Sequence, residues 1–244
     1  SPALQEKYGF GGFRVVPPNE WGALITWYDL MIRQERDGGI IKEADKLSVA
    51  LTHVTSDLLL KVAQKFGITV KITPVGVDQL ADYVDKEERQ HREVISAIEE
   101  SGTYATSGHI LDKDGFLAGV RILEIAAFAR AKGLTLNDLL NEMNLDPQIG
   151  FFASANQALE FAATIEGMSK RTDIVRWLHQ KLMPFVLEKA KAGNPIVICG
   201  EKVLDADAQK EFKSGKYDVP LNYPGFPDGG IRFYFNQDKT DYIT

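Results

Sequence analysis

The chain has 244 residues, with 28 Lys plus Arg against 34 Asp plus Glu, a net charge of −6, four His and one Cys. That balance lacks the basic footprint of a nucleic-acid binder, and a lone Cys199 excludes both an internal disulfide framework and a Cys-rich zinc module while suiting a reducing compartment. Arg121, Glu124 and Arg130 break the longest apolar run short of the ~18–20 residues of a membrane span, and residues 1–13 show no signal pattern, so a soluble cytoplasmic protein is expected, with no membrane or nucleic-acid partner.

The first clear element follows Pro17-Pro18-Asn19. Asn19 reads as a helix N-cap, Glu20 lies in the first turn, and Trp21, Leu24, Ile25, Tyr28 and Ile32 recur at helical spacing up to Gly38-Gly39. Leu47 to Val54 reads as a buried strand, and Thr55-Ser56-Asp57 caps a helix carrying Leu58, Leu59, Val62 and Phe66. Ile68 to Ile72 reads as a second strand. This is a tight βαβ unit, for which a right-handed crossover and a parallel pair are expected. Thr73-Pro74-Val75-Gly76 then ends the ladder, with Gly76 permitting a close backbone approach.

Residues 78–98 are charged and helix-prone, with Leu80, Tyr83 and Val84 on one face. Glu99 to Gly115 reads as a loop, Phe116 to Ala131 as a helix, and Thr135 caps a short helix through Met143. Asn144 to Gly150, with Asp146-Pro147, is the preferred domain boundary. Beyond it, 155–166 is helix-like or mixed, Arg171 to Lys191 is a long amphipathic helix, and Ile196 to Cys199 is a short buried strand. Residues 214–230 are turn-rich, Ile231 to Phe235 is a strand, and Asp241 to Thr244 begins another after a hairpin-like turn. The expected fold is α/β: a three-layer α/β/α domain over 1–145 with a mixed, largely parallel sheet, then a smaller, incomplete α+β domain over 146–244.

Common catalytic signatures are absent: no GxGxxG after a strand, no GxxxxGK[ST], no HExxH and no GxSxG. The four His residues show no ligand spacing. His53 reads as a packed histidine, His91 and His179 as solvated, and Cys199 as a buried inert thiol.

The segment Glu99 to Asp114 stands out by gathering carboxylates, hydroxyls, one imidazole and one ammonium within sixteen residues. Carboxylate and hydroxyl pairs suit sugar hydroxyls, each of which both donates and accepts. A Lys just before a helix start suits a phosphate. The alternative from composition alone is a solvated surface loop whose aspartates cap the next helix.

Thr73-Pro74-Val75-Gly76, Glu99-Glu100-Ser101-Gly102, His109-Ile110 and Asp112-Lys113-Asp114-Gly115 follow one another in an order that resembles the third domain of the α-D-phosphohexomutases, the phosphoglucomutase and phosphomannomutase family. The Pro18-Asn19-Glu20 helix, the Val54-Thr55-Ser56-Asp57 junction and Lys132 to Leu140 resemble it too. Residues 195–244 resemble the family's last domain more weakly, chiefly at Phe226 to Phe233.

The resemblance implies interconversion of hexose 1-phosphate and hexose 6-phosphate through a bisphosphate intermediate, with Mg2+ and a glucose 1,6-bisphosphate-type activator in the full-length enzyme and a phosphosugar as partner. Carried over, Glu99 and Ser101 would bind sugar hydroxyls, Gly76 and His109 would line the same site, and Lys113 would contact the phosphosugar. Val77-Asp78 departs from the family's aromatic-Lys at that place.

No Ser-His-Asn-Pro nucleophile segment, Asp-x-Asp-x-Asp-Arg metal loop or Arg-x-Ser-Gly-Thr phosphate loop occurs. Ser101-Gly102-Thr103 mimics the last, but with Glu99-Glu100 where an Arg belongs. Phosphoryl transfer depends on positioning and cationic stabilisation. The expectation is therefore a C-terminal portion of a mutase that keeps the sugar-reading loop and is inactive alone. The alternatives are a non-catalytic sugar-phosphate-binding module on the same fold and a plain α/β interaction domain.

Overall fold

The computed structural model describes residues 9–10, 13–112, 114–152, 173–174, 176–198, 200–208, 231–239 and 242–243. The chain divides into two compact units, Ser1–Ser154 and Ala155–Thr244. In the first, a small hairpin, β1 (Gly9–Phe10) with β2 (Phe13–Arg14), precedes α1 (Pro18–Arg36). Asn19 is not the cap of α1. Pro17 precedes the helix, and Pro18 supplies a ready-made φ where no N–H is needed. The Asn19 amide is used in tertiary structure instead, its Oδ1 accepting the Ser56 N–H at 3.2 Å.

The sheet has the order β4-β3-β5-β6, built from β3 (Leu47–Thr52), β4 (Thr69–Thr73), β5 (Glu93–Ile98) and β6 (Tyr104–Ala105). The first three strands are parallel and β6 is antiparallel to β5. All six residues of β3 are buried, as a central strand covered on both faces requires. Between β3 and β4 runs α2 (Asp57–Lys65), capped by the Ser56 hydroxyl; between β4 and β5 runs α3 (Val77–Arg89). Right-handed crossovers to opposite sides of β3 put these two helices on opposite faces. Leu80 and Val84 of α3 pack with Ala50, Val94, Ala97 and Ala105 in one buried cluster. The α/β, mixed and largely parallel architecture is the one expected.

Residues 93–98 are a strand and not the end of a helix. The α3 helix stops at Arg89, and His91 turns the chain with φ +56, a left-handed conformation that a non-glycine residue does not announce in sequence. The last charged residues of α3 also run without a break into Arg92 and Glu93, masking the start of β5. Two further helices, α4 (Gly115–Ala131) and α5 (Leu136–Leu145), pack against α1. Tyr28 meets Phe128 edge to face at 5.1 Å, and Arg121 pairs with Asp29. Thr135 and Asp138 form a reciprocal capping box at the start of α5. The α4 helix buries Ile125 and Ala129 but leaves Phe116, Val120 and Leu123 exposed. Thr106 and Ser107 continue the β6 edge along β5: the Thr106 hydroxyl donates to the carbonyls of Val94 and Ile95, and Ser107 exchanges bonds with Val94 in both directions.

In the second unit, a wide helical turn at Leu178–Leu182 leads into α6 (Met183–Lys191). A short hairpin, β7 (Val197–Ile198) with β8 (Glu201–Lys202), follows. Val197 is exposed, so the stretch is not the buried strand expected. A three-stranded antiparallel sheet joins β9 (Asp205–Ala208), β10 (Ile231–Tyr234) and β11 (Tyr242–Ile243) in the order β11-β10-β9. Lys239 clamps it, lying 2.9 Å from Asp205 and 2.8 Å from Asp207. Arg232 is buried with its guanidinium over the Tyr242 ring. The readings of 155–166, of 214–230 and of Cys199 lie outside the described residues.

Candidate functional site

The chain passes from β3 to β4 on one side and then crosses back over β3 to β5. The loops leaving the carboxyl ends of β3 and β4 therefore diverge, which opens the crevice where α/β sheets place ligands. Three loops converge there. From β3 come Thr52 and Thr55, whose hydroxyls lie 2.9 Å apart, and Thr55 also donates to the Ile98 carbonyl at 3.3 Å. From β4 comes Gly76, whose φ of +133 is a conformation that L side chains rarely adopt, so the position favours glycine.

From β5 comes a tight turn. The Gly102 N–H donates to the Glu99 carbonyl at 3.0 Å and the Glu99 N–H to the Thr103 carbonyl at 3.2 Å. The presumed long loop therefore begins as a hairpin into β6. Gly102 has φ +95 and lies against Pro18 and Trp21, where an added Cβ would stand 3.7 and 3.8 Å from their rings. Trp21 also meets the buried Tyr104 ring edge to face at 6.3 Å, and burial pushes the Tyr104 phenol up to about 12. The start of α1 thus fixes the turn.

Glu99 is at the centre, only 5% exposed. Its Oε1 accepts the Gly76 N–H at 3.1 Å, and its Oε2 accepts the hydroxyls of Ser101 at 2.8 Å and Thr103 at 3.4 Å. Three donors satisfy most of a carboxylate's roughly four acceptor positions. The cradle is a fixed anion ringed by hydroxyls, an arrangement that exchanges hydrogen bonds with neutral polyols and repels a phosphate placed directly on it.

The neighbouring Glu100 is different. Its Oε2 is shielded from solvent with no hydrogen-bond partner among the described residues. Burial raises its carboxyl above the ordinary range, the Glu99 charge adds to the rise, and hydrogen bonds from its own backbone N–H and from Thr52 oppose it.

Gly76, Glu99 and Ser101 are brought together by direct hydrogen bonds. His109 is engaged elsewhere: its Nε2 lies 2.6 Å from Asp114 Oδ2, while Asp114 Oδ1 caps α4 by accepting the N–H groups of Phe116 and Leu117. The His109 hydrogen bond, followed by these backbone bonds, holds the Asp114 carboxyl below its usual range. The alternative reading of an aspartate capping the next helix therefore describes Asp114. Lys113 lies outside the described residues. Thr103 escaped the sequence reading, although Glu99, Ser101 and Thr103 alternate and so could share one side of the turn. Among the described residues no group of three or more His, Cys, Asp or Glu could hold a metal ion, and no helix is long and apolar enough to cross a membrane.

The family profile described as "Phosphoglucomutase/phosphomannomutase, alpha/beta/alpha domain III" matches residues 19–145. A phosphopentomutase of Mus musculus is 32% identical over 146 residues, which are 59% of this chain and 23% of that protein. A phosphomannomutase of Mycoplasma pneumoniae is 30% identical over 136 residues, 56% of this chain and 22% of that protein. The chain thus spans about a quarter of the length of these relatives. A crystal structure of parafusin, a phosphoglucomutase from Paramecium, aligns with 92% of this chain and 33% of its own at 18% identity and a TM-score of 0.49. The matched span takes in α1 to α5 and the whole cradle, and with more than half of its residues inside that one domain the chain belongs to the phosphoglucomutase/phosphomannomutase family.

Proposed function

We propose that the cradle of Gly76, Glu99, Ser101 and Thr103 reads sugar hydroxyls for a phosphohexomutase, which interconverts hexose 1-phosphate and hexose 6-phosphate through a bisphosphate intermediate. The observation that carries this is the Glu99 carboxylate, pinned at 3.1 Å by the Gly76 N–H and at 2.8 Å by the Ser101 hydroxyl at the carboxyl edge of the sheet. A pinned carboxylate accepts a sugar hydroxyl without reorganising, and Ser101 can shift its own hydroxyl between Glu99 and a ligand oxygen. Such bonds discriminate epimers, because a misplaced hydroxyl leaves a buried acceptor unpaired.

On this reading residues 1–145 act as the third, sugar-reading domain and 146–244 as part of a last α+β domain of a longer cytoplasmic enzyme. The phosphoserine, the magnesium ligands and the terminal phosphate loop are supplied by segments whose motifs this sequence does not contain. Mg2+ would supply charge stabilisation to the transferred phosphoryl group there, and a bisphosphate would prime the serine. His109 acts one step away, by holding Asp114 and the start of α4. Lys113, beside that cap in sequence, is the candidate for the phosphate end of the ligand.

The test is an amide-resolved NMR titration with glucose 1-phosphate. Weak, saturable shifts at residue 76 and residues 99–103, lost in Glu99→Gln, are expected. A titration that leaves these amides unmoved, or a Glu99→Gln chain that binds as before, sinks the assignment. A pentose 1-phosphate run in parallel reads out ring preference, since the phosphopentomutase of Mus musculus is among the relatives.

A further inference from the structure

The other end of the sheet carries a second polar site. Where the amino ends of β3 and β5 meet the last turn of α1, an open cleft of about 410 Å³ is lined by Arg33, Arg36, Lys42, Lys46, His91 and Arg92, with Asp37, Glu43 and Glu93 among them. In a chain of net charge −6, this cleft gathers five permanent cations, four of them each paired with one carboxylate and Lys42 left over.

The carboxylates are already engaged. Arg33 grips Glu93 with both terminal nitrogens, one at 3.1 Å. Asp37 accepts from Arg36 Nε at 3.2 Å and from the Lys42 N–H at 3.0 Å, and Glu43 pairs with Lys46. Arg92 is held by Glu87 at 2.9 Å and by the Asp45 carbonyl at 3.3 Å. These pairs fix the walls.

What they leave is cationic. Arg36 spends only Nε on its neighbour, with its side chain 66% exposed, and the Lys42 ammonium makes no ion pair among the described residues. His91 contributes an exposed ring with no side-chain bond among them. The rim backbone is also unusual. Glu43 at φ +53 and His91 at φ +56 are two of three non-glycine residues with positive φ among the described residues. Each such conformation costs on the order of 1 kcal/mol, and such costs gather at ligand sites.

We propose that this cleft binds a small, multiply charged, phosphate-bearing anion, gripped by Arg36, Lys42 and His91 over a floor fixed by the Arg33–Glu93 pair. A guanidinium fork and an ammonium lining one cleft match the several oxygens of phosphoryl groups better than one carboxylate. The cleft is in the range that holds a small organic ligand, and its charged walls disfavour an apolar one. The proposal stands apart from the reading of the cradle, which offers carboxylates and hydroxyls and no cation. The two sites lie at opposite ends of β5.

The experiment uses the whole chain and inorganic pyrophosphate as probe, with amide NMR at constant ionic strength and sodium chloride as control. Saturable shifts at residues 36–43 and 91–93 are expected, weakened about tenfold or more by Arg36→Glu with Lys42→Glu, as loss of charge-assisted bonds requires. Both side chains are solvent-facing, and an unchanged far-UV spectrum and melting midpoint certify the variant's fold. Glu99→Gln should leave pyrophosphate binding intact. Shifts reproduced by chloride, shifts insensitive to the double charge reversal, shifts confined to residues 99–103, or no saturable shifts at all would overturn the proposal.

Discussion

Gly76 donates its backbone N–H to Glu99 Oε1 at 3.1 Å, which ties the carboxyl end of β4 to that of β5 across the central strand between them. Gly76 sits at φ +133, which an L side chain rarely adopts, so Gly76→Ala strains the backbone, whereas the exposed Asp78 carboxylate beside it can swing aside. Urea unfolding should show a loss of roughly 1–3 kcal/mol. Gly119, in the exposed middle of α4 with nothing near its missing Cβ, is the control: Gly119→Ala should stabilise by about 0.5–1 kcal/mol. Equal effects at both positions would refute the strained geometry at Gly76.

The carboxyl of Glu100 gives a pH dependence with a definite sign. Burial raises its value in the folded chain above the unfolded 4.5, so the folded state binds that proton more tightly. Its stabilising contribution is fully present below the unfolded value and is lost as pH rises through the folded one. Glu100→Gln, which stays neutral, should be more stable than the parent at pH 7, and the gap should close as the pH falls below about 4.5. A gap that is constant with pH, or of opposite sign, contradicts a buried carboxyl.

The two faces of α4 differ sharply, with Ile125 fully buried and Leu123 71% exposed. Ile125→Ala should cost about 2–5 kcal/mol through lost burial and a residual cavity. Leu123→Ala should change stability by no more than about 0.5 kcal/mol. Comparable melting-point shifts for the two would mean that α4 is rotated from the orientation described.

The polypeptide should also show no hexose phosphate isomerisation, with or without magnesium. It has no Ser-His-Asn-Pro nucleophile segment and no Asp-rich metal loop. A coupled assay on a clean preparation that records turnover abolished by Glu99→Gln would reverse this account of which residues do the chemistry.

Much of the first unit was legible because its local signals agree with its tertiary structure. Ser56 before Asp57 and Leu58, Thr135 three residues before Asp138, and the apolar run from Leu47 each specify one element, and each forms as read. The strand from Glu93 was hidden behind a left-handed turn at His91, where side-chain chemistry gives no warning. Gly76, Glu99 and Ser101 could be grouped from the order of their motifs, but the hydrogen bonds joining them depend on strand order, which sequence spacing does not carry. The pairing of His109 with Asp114, five residues on and fixed at a helix start, is a local contact that the order of motifs does not carry. The basic cleft was invisible because its lining is assembled from segments around residues 33–47 and 91–93, which meet only when β3 and β5 pair.

The hairpin that builds the cradle has a second effect. A parallel sheet ending at β5 would expose a row of unpaired backbone groups, an invitation for strand addition by another chain. Tyr104 and Ala105 pair with Ala97 and Ile98, while Thr106 and Ser107 occupy Val94 and the Ile95 carbonyl. The turn that holds Glu99 through Ser101 and Thr103 therefore leads straight into the residues that cover the β5 edge, so one short stretch of backbone both shapes the cradle and occupies that flank.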